Sequence, residues 1–181
     1  STNFSFFATH YLFPILIGMM KGYVMLLVVV LLIMFLCSLG FDGTMRRAIH
    51  NLKYRNLRAI ATPLAELLKN SFIANPVPGE VLVPVPLHPK RLGECGYNQS
   101  SLLARGLGKL TDLAVVGDCL IRERSALPQA RTASVEERQR NVAGAFICRD
   151  GSLSDKLVLL IDDVSTSGAT LAACAAALKN A

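Results

Sequence analysis

Twenty consecutive residues, Gly22 to Phe41 (GYVMLLVVVLLIMFLCSLGF), carry no charge. No polar residues recur along them at helical spacing, so a helix here has no side to turn to water. At 1.5 Å per residue such a helix is about 30 Å long, the thickness of a bilayer's hydrocarbon core. The run therefore predicts a transmembrane or signal-anchor helix. A cleaved signal peptide fits poorly, because the run is too long and no strongly basic start precedes it. Two other readings stay open. One is a buried helix, which so small a chain can scarcely cover on all sides. The other is a wrong gene start or a frame error upstream. If the run spans, Arg46, Arg47, Lys53, Arg55 and Arg58 follow it, and only Lys21 stands before it. The positive-inside rule then puts the C-terminal part in the cytoplasm, anchored to a membrane through residues 22–41.

Composition changes after Asp42. The chain is read as an apolar segment, 1–41, and one soluble domain, 42–181; 181 residues leave room for little more. With 52% apolar residues there is too much surface to bury for wholesale disorder. Lysine and arginine number 19 against 13 acids, a net charge of +6. That favours anionic partners such as phosphates, nucleic acid or acidic lipid, and names none of them. The five cysteines are scattered with no C-x-x-C pair. Reduced thiols are expected, with neither a disulfide framework nor a protein zinc site.

Periodicity predicts a helix over Thr44 to Tyr54, where Met45, Ile49 and Leu52 recur at spacings of four and three. A second helix runs from Pro63 to Asn70, with proline in its first turn. Asn75 to Gly79 is a loop. Val81 to Val83 is a short buried strand closed by Pro84 and Pro86. Asn98 to Leu110 is a helix, Lys156 to Ile161 a second strand, and Thr170 to Leu178 an alanine-rich helix. Residues 123–140 are polar and read as a long loop or flap, with a helical turn at Val135 to Arg140. Strands alternating with helices imply an α/β domain with a mainly parallel sheet.

Val158 to Thr170 (VLLIDDVSTSGAT) carries the most chemistry. Four apolar residues make a buried strand, and Asp162 and Asp163 stand at its C-terminal end, where open α/β sheets bind ligands. A short hydroxyl-rich loop then opens a helix. Backbone N–H groups at a helix N-terminus hold a phosphate, helped by the helix dipole. Thr166, Ser167 and Thr170 add hydroxyl donors, and Gly168 lets the backbone approach closely. Carboxylates beside such a cradle suit a sugar phosphate, since they accept hydrogen bonds from vicinal hydroxyls. The plain alternative is a strand end whose polar residues only cap the helix.

This order resembles the phosphoribosyl pyrophosphate (PRPP) motif of type I phosphoribosyltransferases. Three further stretches, V-P-V-P-L-H-P-K-R over Val83 to Arg91, G-Y-N-Q over Gly96 to Gln99, and N-V-A-G-A-F over Asn141 to Phe146, resemble the ComF/GntX family of phosphoribosyltransferase-like proteins. The resemblance covers about residues 42–181. It implies a type I phosphoribosyltransferase fold, a mainly parallel sheet flanked by helices, with a Mg²⁺-PRPP site. It places Asp162 and Asp163 at the ribose hydroxyls and at the Mg²⁺ that arrives with PRPP. Thr166, Ser167, Gly168, Ala169 and Thr170 go to the 5′-phosphate. Lys90 and Arg91 are the cations for the pyrophosphate, and Gln129, Arg131 and Arg138 ride on the flap. For the two flap arginines a solvated loop face is an equal reading. His88 has a plain role open to it, fixing the turn between Pro86 and Pro89. Tyr97 and Asn98 can pack and cap the following helix.

The chain departs from the family pattern at both ends. The cysteine-rich zinc module that often opens family members is replaced by the apolar run, and Cys37 alone makes no zinc site. The chain stops at Ala181, where the family fold continues into at least one more strand. A truncated C-terminus and an open sheet edge are expected. Three functions remain in play. The first is a PRPP-dependent transferase of the ComF type, a family associated with DNA uptake in competence. The second is a non-catalytic module that senses PRPP or a related nucleotide and acts through partners in the DNA-uptake machinery. The third is a tethered domain that binds single-stranded DNA, although no aromatic stacking platform supports it.

Overall fold

Two strands, Val81–Pro84 and Val158–Ile161, form the centre of the fold, and both are buried along their whole length. The structure is a computed structural model, and it describes residues 27–28, 51–52, 58–74, 78–124, 140–149, 151–163 and 168–181. In chain order the strands are β1 (Leu27–Val28), β2 (Val81–Pro84), β3 (Ala114–Val115), β4 (Leu120–Arg122), β5 (Phe146–Cys148) and β6 (Val158–Ile161). The helices are α1 (Ala61–Ala74), α2 (Pro89–Cys95), α3 (Gln99–Thr111) and α4 (Ala169–Lys179), with a 3₁₀ turn at Arg58–Ile60 leading into α1. The main sheet has the order β1-β6-β2-β3, and every pairing in it is parallel. β4 and β5 make a separate antiparallel pair.

The sheet is covered on both faces, which is why β2 and β6 are continuous apolar runs rather than alternating ones. Val81, Val83, Val158 and Leu160 face a core shared with Leu120, Phe146 and the α4 residues Leu171, Cys174 and Leu178. Leu82, Leu159 and Ile161 face the other way, onto Leu64 and Leu68 of α1 and Leu103 and Leu107 of α3. The buried stripe of α1 (Ala61, Leu64, Ala65, Leu68) has helical spacing, as does that of α3. The two helices approach closely at Gly106, where an added Cβ would lie 2.6 Å from Cβ of Ala65.

The expected α/β architecture with a mainly parallel sheet is present. The predicted helix at residues 63–70 is longer, Ala61–Ala74, and β3, β4 and β5 form in stretches for which the sequence pattern predicts no element. The predicted helix at residues 44–54 is described only at Asn51 and Leu52, which are helical. The apolar run is described only at Leu27–Val28. There the backbone is a strand paired with Leu159 and Leu160 of β6, not part of a helix. The physical reason lies in both partners. The run is rich in valine, which favours extended backbone, and the outer edge of β6 presents unpaired backbone groups. The rest of the expected membrane helix lies outside the described residues. Among the described residues no helix is long and apolar enough to cross a membrane.

Candidate functional site

β2 and β6 end side by side: Pro84 pairs with Ile161, and the Val85 N–H donates to the Ile161 carbonyl at 2.8 Å. The next residues, Asp162 and Asp163, are therefore at the C-terminal edge of the central strand pair. Both are buried, at 9% and 8% exposure. Burying two neighbouring carboxylates is costly unless each finds donors or a cation. Asp162 Oδ1 accepts two hydrogen bonds, from the Asp163 N–H at 2.9 Å and from Ser100 Oγ at 3.2 Å.

Ser100 reaches the acid from the first turn of α3, and that turn is pinned by Asn98. The Asn98 Oδ1 accepts from the Ser100 N–H at 3.0 Å as the helix N-cap, while its Nδ2 donates to the Val85 carbonyl at 2.9 Å. One side chain thus caps α3 and ties it to the loop after β2. Tyr97, buried beside it, donates its hydroxyl to the Leu52 carbonyl. Burial holds its phenol above the ordinary value, against the opposing charge of Arg58 stacked 4.7 Å from the ring centroid. Tyr97 packs and Asn98 caps, as the sequence suggested. Gln99, between them and Ser100, is 2% exposed, and its Nε2 has no acceptor among the described residues.

On the other side of the acids, α4 begins at Ala169 behind Gly168, whose φ of 71° lies in the left-handed region. That is the residue type the position requires. The first turn of α4 therefore opens without a side-chain cap from its N-cap residue. Its N–H groups and the Thr170 hydroxyl are the described part of the proposed phosphate loop. Thr166 and Ser167 lie outside the described residues, as do Gln129, Arg131 and Arg138 of the flap.

His88 caps α2 by accepting the Lys90 N–H on Nδ1 at 3.2 Å, with Pro89 in the first turn. Its structural role in the turn is what the sequence suggested, and this contact puts the donor proton of a neutral imidazole on Nε2. Lys90 and Arg91 are both exposed, in the first turn of α2, and Arg91 Nη1 pairs with Glu94 Oε2 at 2.9 Å on the surface. They follow β2 as expected but are not drawn into the core beside the acids.

A cation that sequence reasoning missed acts electrostatically on Asp162. Arg122 is half-buried at the end of β4, with its guanidinium 5.3 Å from the Phe146 ring centroid and its Nε donating to the Arg124 carbonyl at 3.2 Å. Burial lowers its pKa, and the negative charge of Asp162 acts against that. Burial pushes the Cys174 thiol far up, with Asp162 adding to the rise and Arg122 opposing it, so this cysteine stays a neutral core residue. Among the described residues no group of three or more His, Cys, Asp or Glu is placed to hold a metal ion. The oxygen donors of the acid pair do suit a hard cation delivered with a phosphate ligand.

The chain is 33% identical over 94 residues to Competence protein F of Haemophilus influenzae, a match over 51% of this chain and 41% of that protein. It is 31% identical over 130 residues to the DNA utilization protein YhgH of Salmonella typhi, covering 68% of this chain and 56% of that one. The YhgH protein of Escherichia coli K12 matches at 30% over 129 residues, with the same coverage. This is a ComF-type protein. The ComF-type chain spans about half the length of the curated relatives it matches. No family model matches it, and no solved structure does.

In this ComF-type chain Asn98 holds the site's geometry, and its loss has a defined cost. Asn98→Ala removes a helix cap, worth about 1 kcal/mol, and a second hydrogen bond worth about the same. Urea denaturation should show stability lower by about 2 kcal/mol. Asn98→Ser keeps an N-cap acceptor and should lose roughly half as much.

Proposed function

We propose that this ComF-type chain binds Mg²⁺-PRPP at the end of the central strand pair and serves DNA uptake. The observation that carries the reading is the buried Asp162-Asp163 pair at the C-terminal end of β6, followed by the left-handed Gly168 and the start of α4. Ligands bind open parallel sheets at that edge. The names of the relatives, for competence and DNA utilization, support the cellular role.

In this reading the two carboxylates accept hydrogen bonds from the ribose hydroxyls. The N–H groups at the start of α4, with Thr170, take the 5′-phosphate through the helix dipole. Lys90 and Arg91, at the end of the loop after β2, are the side chains assigned to the pyrophosphate. Mg²⁺ carried by PRPP supplies charge neutralisation at the leaving group. If transfer follows binding, the bond between ribose C1 and the pyrophosphate oxygen breaks. A bond from C1 to an acceptor nitrogen forms, and the acceptor's proton is lost to solvent. Oriented cations at the departing pyrophosphate are then the main catalytic contribution.

Calorimetry of the chain with PRPP, with and without Mg²⁺, tests the reading. The expected result is Mg²⁺-dependent binding at a single site. A folded chain that binds PRPP under neither condition overturns it. Sustained turnover of PRPP with an added base would make the protein a transferase, and binding without turnover a PRPP-sensing module.

A further inference from the structure

Ser100 belongs to no motif that pointed to the sugar-phosphate site, yet it is joined to that site. It is 3% exposed and reaches Asp162 across 62 positions of chain, Oγ to Oδ1, at 3.2 Å. A carboxylate turns easily about its last torsion, which has broad, two-fold wells. One donor on one oxygen leaves that rotation loose. Here Oδ1 is held by two donors from different elements, the Asp163 N–H after β6 and the Ser100 hydroxyl on α3. Together they fix the plane of the group.

The arrangement depends on a division of labour at the start of α3. Serine near a helix start commonly bonds its own backbone. Asn98 already takes the Ser100 N–H, and its Nδ2 fastens the turn to the Val85 carbonyl. The Ser100 hydroxyl is thereby left to serve Asp162. The neighbouring Gln99 is also deeply buried, and its Nε2 has no acceptor among the described residues.

We propose that Ser100 is a positioning residue that orients the Asp162 carboxylate for the 2- and 3-hydroxyls of a ribose 5-phosphate, giving the site its preference for ribose over 2-deoxyribose. This rests on the acid pair being a sugar-phosphate site. Ser100 touches the carboxylate rather than the sugar, so its effect passes through Asp162.

The test titrates the full chain, in Mg²⁺ buffer, with ribose 5-phosphate and with 2-deoxyribose 5-phosphate. Wild type is expected to prefer the ribose form. Ser100→Ala should bind ribose 5-phosphate roughly three- to tenfold more weakly, the scale of one ordinary net hydrogen bond, because the serine acts on the sugar only through Asp162. Its affinity for the deoxy sugar, which keeps only the 3-hydroxyl, should fall less, and Ser100→Thr should restore the preference. Thermal melting monitors the fold. Should the alanine variant melt below the assay temperature, Ser100→Cys repeats the test with a similar volume and a weak donor. A wild-type preference retained without the hydroxyl overturns the inference and leaves the acid-pair reading standing. So does an equal loss for both sugars, the mark of a merely structural role. Wild type that binds neither sugar overturns both.

Discussion

Asp162→Asn/Asp163→Asn, made together, should abolish Mg²⁺-dependent PRPP binding and leave the fold intact. The amide side chains match the carboxylates in shape. Asn at position 162 keeps an oxygen where Oδ1 accepts the Asp163 N–H and the Ser100 hydroxyl. What it loses is charge. A hydrogen bond to a charged partner contributes about 1.5–3 kcal/mol, so two of them lost from the ribose hydroxyls remove at least about 3 kcal/mol. That is a hundredfold or more in Kd. Stability should move the other way or stay level. Two buried, adjacent carboxylates repel and are costly to desolvate, and neutralising them relieves both effects. Calorimetry with PRPP and a thermal melt of the same sample check the two halves. Loss of binding with an unchanged or raised midpoint is the signature of a site that trades stability for ligand affinity. Unaltered binding would remove the acid pair from the ligand, and with it the reason to read this edge of the sheet as the site.

What the sequence made legible was whatever repeats or stands next to its cause. The apolar runs at Val81 and Val158 are long enough to read as strands. The acids and Gly168 follow the second directly in the chain, so position along the chain became position in space. β3, β4 and β5 are two or three residues each, too short for a period of two to register. α2 carries no visible signal because Pro89 and Gly93 are both poor helix formers, yet Pro89 sits in the first turn behind the His88 cap. Ser100 and Arg122 carried no signal at all. Ser100 meets Asp162 only because α3 folds back over the end of β6. Arg122 is brought near the same acid by the β4–β5 pair, whose second strand lies beyond the polar stretch. At Leu27–Val28 an unbroken apolar run offers no periodicity to separate helix from strand, and pairing with β6 decides it there.

Gly79 was legible as a loop residue, and the structure gives it a different reason to be glycine. A Cβ added there would lie 2.3 Å from Leu159 Cγ and 2.4 Å from its Cδ1. Leu159 has no freedom to yield, being fully buried among Leu64, Leu68, Leu103 and Leu107 between the sheet and the α1–α3 layer. The backbone cannot yield cheaply either. The next residue clamps the start of β2 to the start of β6, with the Glu80 N–H donating to the Leu157 carbonyl at 2.8 Å and Glu80 Oε2 accepting the Leu157 N–H at 2.8 Å. Overpacking by one methyl in a rigid core costs about 1–3 kcal/mol. Gly79→Ala should fall at the upper end of that range. Gly79→Val adds two more carbons against the same side chain and should cost about 4 kcal/mol, a large share of a domain's ordinary stability. Leu159→Ala alone opens a cavity and costs about 2–5 kcal/mol. If the clash with Leu159 is the cause, Gly79→Val combined with Leu159→Ala should cost much less than the sum of the two, because the new side chain enters the space that the leucine leaves. Urea denaturation of the three variants measures that coupling. Simple additivity would mean that the valine acts on the backbone of the loop and not on the central strand.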